Sequence, residues 1–146
     1  MKTQSFSDLF TRLLHAEGQS RAARTVELFG WLILVESQFM LFAPHLAAAL
    51  LQLPPLVEQA ANYFRLVGLL VGGLGMLYVV SGRMNAEGFV FASLLDRPLV
   101  PIIMAVLWHF GIIPGPLALA FSIQDLGSFL WTLCTWRSES GAARPL

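Results

Sequence analysis

Charge is what this sequence has least of. Its 146 residues include 9 basic and 9 acidic side chains, so only 12% are charged and the formal net charge is zero. A water-soluble domain uses about twice that share to cover its surface. No basic stretch is present, which argues against nucleic acid as a partner. The single cysteine, Cys134, excludes a disulfide framework, a cysteine-rich zinc site and a CxxC redox pair. His15, His45 and His109 are too far apart in sequence for a helical metal motif, so neither metal nor cofactor is expected. There is no GxSxG nucleophile elbow. Gly72-Gly73-x-Gly75 lies inside an apolar run, not at the strand-to-helix turn that cradles phosphate.

What is present is apolar. Hydrophobic residues make up 56% of the chain and the mean hydropathy is +0.68. Long apolar runs separated by short polar segments predict an all-α integral membrane four-helix bundle. Its partner is then the lipid bilayer. The expected spans run from Thr25 to Phe42, Asn62 to Ser81, Gly88 to Phe110 and Leu117 to Trp136. Pro44 breaks or kinks the first span, and the apolar His45–Leu53 segment is too short to cross. Pro98 separates Phe89–Leu95 from the rest of the third span. Gly111, Pro114, Gly115 and Pro116 form a tight turn.

Residues 1–24 lack the apolar core of a signal peptide. Phe6, Leu9, Phe10, Leu13 and Leu14 recur at helical spacing, as in a short amphipathic helix lying in the membrane interface. The plainer alternative is a frayed polar tail. The expected organisation is therefore a cytoplasmic amphipathic segment (1–24), a four-span domain (25–136) and a polar, mobile cytoplasmic tail (137–146). Lys2, Arg12, Arg21, Arg24, Arg83, Arg97, Arg137 and Arg144 fall on one side and only Arg65 on the other. That bias predicts cytoplasmic termini.

Polar groups at membrane depth are costly, by about 2.5–3.5 kcal/mol for a charge, and mark candidate sites. Glu36 is placed roughly 16 Å into the first span by the helical rise of about 1.5 Å per residue. Asp125 reaches a similar depth in the fourth, with Gln38 and Gln124 adjacent in sequence to the two carboxylates. Arg65 enters from the outer end of the second span and Arg97 from the inner end of the third. The expected pairs are Glu36 with Arg65 and Asp125 with Arg97, neutral in sum. Glu36, Gln38, Arg65, Arg97, Gln124 and Asp125 thus form either a functional polar site or a structural network fixing helix register. Gly68, Gly72 and Gly75 lie near one face of the second span, where small residues let helices approach. They serve either packing inside the bundle or contact with a second copy or a membrane partner.

Three stretches carry a family resemblance. They are Tyr63-Phe64-Arg65-Leu66-Val67-Gly68 with Leu77 to Arg83, Phe89 to Arg97, and Gly111 to Pro116 followed by Gln124 to Thr132. Over Asn62 to Arg137 the chain resembles the BphX-like family of small four-helix bacterial membrane proteins, and more loosely DoxX-like proteins. The resemblance implies a bacterial inner membrane and a link with gene clusters for aromatic-compound degradation; it implies no catalytic residue. Three functions follow as alternatives. One is a non-enzymatic membrane protein that assists transport or handling of hydrophobic aromatic compounds. Another is a small membrane enzyme using Glu36 or Asp125 as acid or base. The last is a structural accessory subunit.

Overall fold

The computed structural model describes residues 5–16 and 18–142. Lys2, Arg144 and the last part of the expected tail lie outside the described residues. The described chain is helical throughout its regular structure: α1 (Phe6–His15), α2 (Arg21–Phe42), α3 (Pro44–Leu50), α4 (Glu58–Arg83), α5 (Glu87–Asp96), α6 (Leu99–His109) and α7 (Gly115–Ala142). Four helical stretches are long and apolar enough to cross a membrane: α2, α4, α5 continued into α6, and α7.

The ends of these helices differ from the sequence expectation for local reasons. α2 begins at Arg21, ahead of Thr25, because Ser20 caps it through a bond from the Ala23 N–H at 3.1 Å. The chain turns sharply at Ala43, and Pro44 starts the separate helix α3 at its first position, where no N–H is needed. α4 extends outward to Glu58 and Arg83. Pro98 divides the third stretch into α5 and α6. α7 continues through Ala142, so residues 137–142 of the expected mobile tail are helical. Glu139 explains that extension. Its carboxylate accepts from the Arg21 N–H at 2.6 Å and the Ala22 N–H at 3.3 Å, joining the end of α7 to the start of α2. A negative charge at a helix N-terminus is favourable there.

The helices are not arranged as a closed square. α2 is central, with α4 against one side and α7 against the other, while α6 packs on α7. No Cα atom of α4 comes within 8 Å of one in α7. Near the start of α2, α5 fills the gap by touching α2, α4 and α7; near the far end of α2, α3 lies against α2 and α4. One end is therefore filled and the other is cleft.

The α2–α4 contact is the closest in the molecule, and glycine makes it possible. A Cβ on Gly30 would meet the Val79 backbone nitrogen at 2.7 Å, and one on Gly82 would meet the Glu27 nitrogen at 2.7 Å. Gly68 and Gly75 face α2 at 2.8 Å (Met40 Cβ) and 3.0 Å (Leu34), and Gly72 faces the Ser37 hydroxyl at 3.1 Å. The Gly68, Gly72 and Gly75 face is thus occupied by α2 of the same chain. The core around this contact joins Ala22, Ala23, Val26, Phe29 and Ile33 of α2 to Tyr78 of α4 and Val90 of α5. Most other large apolar side chains, among them Leu69, Leu70, Ile102, Ile103, Leu119 and Ile123, face outward.

Candidate functional site

The six polar residues expected at membrane depth do not assemble into one cluster. They divide between the filled end and the cleft end, and two of them face outward.

At the filled end the centre is Arg97, which caps α5 and is fully buried at 0% exposure. Its Nη1 donates to the Thr132 hydroxyl at 2.9 Å, and the Thr25 and Thr132 hydroxyls are bonded at 2.8 Å. The guanidinium lies over the Phe29 ring at 4.2 Å and near the Tyr78 ring at 5.2 Å. Aromatic faces attract a cation electrostatically and replace part of its lost hydration. Nε and Nη2 have no hydrogen-bond partner among the described residues. Asp125 is 8% exposed and attracts Arg97 without touching it, since no ion pair joins them within 4 Å. The expected Asp125–Arg97 pair is therefore a field interaction, and the direct bond goes to a threonine. Thr132 reaches the position first because it projects from the α7 face that meets both α2 and Arg97.

Next to this centre lies a second network that the sequence reading missed. Glu27 accepts from Arg83 Nε at 2.7 Å, Gln19 Nε2 at 2.8 Å and Trp31 Nε1 at 3.3 Å. Glu27 and Arg83 form a direct ion pair. Arg83 also donates to the Leu13 carbonyl at 3.1 Å, tying α1 to the bundle, and the Ser20 N–H donates to the Asn85 side chain at 3.1 Å. A signal was available. Glu27 opens the first span while Arg83 closes the second, and antiparallel neighbours bring such positions level.

At the cleft end, Glu36 and Gln124 meet across α2 and α7: Gln124 Nε2 donates to a Glu36 carboxylate oxygen at 3.0 Å. The expected Glu36–Arg65 pair is absent. Arg65 is exposed and donates to Asn62 at 3.0 Å one turn away. It extends from the outer surface of α4, whereas Glu36 points toward α7, and the two faces do not converge. Gln38 is also exposed and donates to the Ser37 hydroxyl at 3.1 Å.

Glu36 and Gln124 border a cavity of about 390 Å³ between α2, α3, α4 and α7. Phe39 and Met40 line it from α2, Ala47 and Leu50 from α3 with Leu51 just after it, Val67 and Val71 from α4, and Ala120 and Phe121 from α7. Its volume falls in the range of small-molecule sites, about 300–1,000 Å³, and its apolar wall with one polar pair has their usual composition. It exists because α4 and α7 lie on different sides of α2 with no close backbone approach between them, while α3 packs only against α2 and α4. Phe39, Leu50 and Val67 are exposed at its rim, so it opens sideways onto the apolar surface. Asp125 lines no part of it, so the two carboxylates do not form a paired acid and base. Among the described residues no group of three or more His, Cys, Asp or Glu side chains is placed to hold a metal ion.

Comparison of the chain with protein-family models, curated proteins and solved structures finds no match.

Proposed function

We propose that this chain is a multi-pass membrane protein that takes a small hydrophobic compound from the bilayer into the cavity beside Glu36. The observation that carries the reading is a cavity of about 390 Å³, walled by apolar side chains and open at the level of the exposed Phe39, Leu50 and Val67. A ligand dissolved in lipid would enter there without crossing water. The resemblance to BphX-like proteins narrows the expected compound to the aromatic class and the membrane to a bacterial inner membrane. Among the described residues there is no nucleophile–base arrangement at the cavity, so handling or transport is preferred to catalysis.

In this reading the four long helices cross the bilayer. Arg12, Arg21, Arg24, Arg83 and Arg137 mark the cytoplasmic end, together with the chain termini. α1 lies in the adjacent interface: it is tied to α4 by the Arg83–Leu13 bond, while Phe6, Phe10 and Leu14 remain uncovered. A cysteine placed at Asn85 is expected to resist a membrane-impermeant thiol reagent in intact cells, and one at Gln59 to react. Cys134 is replaced by serine in both. The reverse pattern overturns the orientation.

The binding test is retention of radiolabelled biphenyl by purified protein in nanodiscs, above empty discs. Val67→Phe narrows the cavity from its rim and is expected to abolish retention with the protein still monodisperse. Retention unchanged by Val67→Phe would remove the cavity from the reading.

A further inference from the structure

Glu36 is an acid without a cationic partner among the described residues. One oxygen accepts from Gln124, and no other side chain of the described residues bonds to it. The chain's basic groups near this depth are committed elsewhere. Arg65 is turned outward to Asn62, and Arg97 is enclosed by Thr132, Phe29 and Tyr78. Asp125, next to Gln124 on α7, is a second acid and brings no cation to Glu36. A neutral amide is therefore the sole polar neighbour of a half-buried acid in an apolar cavity. In such a place an acid holds its charge only with an opposite charge at contact distance; without one it takes up a proton.

The rest of the wall indicates what form that charge would take. Phe39 stands one turn from Glu36 on α2, and Phe121 stands one turn from Gln124 on α7; both line the same cavity. Aromatic faces beside a carboxylate suit an ammonium group, whose methyl or methylene surface packs on the rings while its charge meets the acid. The aliphatic wall beyond them suits a hydrocarbon body. An anionic ligand would be repelled by Glu36, and a fully neutral one would leave the acid unused.

We propose that the cavity recognises a lipophilic amine: an aromatic or aliphatic body bearing an ammonium group, anchored by Glu36. The proposal rests on the reading of the cavity as a hydrophobic-ligand site and names the class of ligand.

The test compares two isosteres. Biphenyl-4-yl-trimethylammonium carries a permanent charge, whereas 4-tert-butylbiphenyl has nearly the same shape and none. Both are titrated into the purified chain in nanodiscs of zwitterionic lipid, so that the discs themselves do not concentrate the cation. The expected result is at least tenfold tighter binding of the ammonium compound by the native chain, loss of that preference in Glu36→Gln, and loss of both ligands in Val67→Phe. Equal or tighter binding of the neutral compound by the native chain overturns the amine assignment and leaves the hydrophobic site standing. So does a preference that survives in folded Glu36→Gln. Binding of neither compound, or binding indifferent to Val67→Phe, overturns both. If Glu36→Gln does not fold, the ratio for the native chain decides by itself.

Discussion

At the filled end of the bundle, α5 is wedged among α2, α4 and α7, and polar groups there meet across four helices. At the cleft end the same α2 carries a single acid, opposed by one amide, beside an apolar cavity. Both ends contain charge within the long apolar helices, yet they use it differently. Arg97 is enclosed on all sides by its own chain, so its charge is spent on holding α2, α5 and α7 in register. Glu36 keeps most of its interaction capacity free. A charge within an apolar helix is therefore a candidate for function only where the surrounding helices leave it something to do.

The most severe way to test this contrast is to force apart the helices of the filled end. Gly82→Leu places a Cβ 2.7 Å from the Glu27 nitrogen and 2.8 Å from the Ala23 carbonyl, both of them backbone that cannot move aside. A destabilisation of about 3 kcal/mol or more is expected, seen as loss of monodisperse protein after extraction. Gly73→Leu on the same helix meets nothing within 4 Å and should behave as the native chain. Equal yields of the two variants would mean that α2 and α4 do not approach as described.

Next comes the direct comparison of the two charges. Arg97→Met should cost about 3 kcal/mol in thermal unfolding, because it strands Asp125 and empties the space between Phe29 and Tyr78. Glu36→Gln should cost under about 1 kcal/mol, the scale of one hydrogen bond. Similar costs for both would erase the distinction between a structural and an available charge. A double variant, Arg97→Met with Asp125→Leu, sharpens the point. Its cost should be about 1 kcal/mol less than the sum of the two single changes, reflecting attraction across a gap. Strict additivity would show that Asp125 does not sense Arg97.

The smallest expected effect concerns the seal of the filled end. Glu139→Ala removes the acceptor for the first two N–H groups of α2 and should lower stability by about 1 kcal/mol. Faster amide exchange at Arg21 and Ala22, with Glu36 and its cavity unaffected, is the accompanying signature. Exchange unchanged at those amides would mean that Glu139 does not hold the end of α7 to α2.

Much of this was legible in the chain and some was not. The four apolar runs, the breaks at Pro44 and Pro98 and the short first helix follow from composition and local sterics, and the helices lie where those signals place them. Polar residues at depth were identifiable one by one, because a rare charge in an apolar run is conspicuous. Their partners were not. Arg65 and Glu36 have opposite charges at compatible depths, but each helix also has an azimuth, and that of α4 directs Arg65 outward. Thr25 and Thr132 gave no signal, since threonine in an apolar helix usually bonds to its own preceding turn, whose carbonyls are within reach of both here. Glu139 looked like part of a tail because its partner, the start of α2, is 118 residues distant in sequence.

By itself the sequence determined that the chain is helical, that four of its helices are suited to a membrane, and which few charges lie within them. Scarcity and periodicity are properties of one segment at a time, and they can be read without knowing its neighbours. Only the tertiary structure decided that the glycine face is consumed by α2, that α5 fills one end while α3 leaves the other cleft, and that Glu36 stands beside a cavity while Arg97 is enclosed. The physical reason is that side-chain pairing depends on how each helix is rotated about its axis. That rotation is set by close packing between helices, not by the depth of any residue along its own.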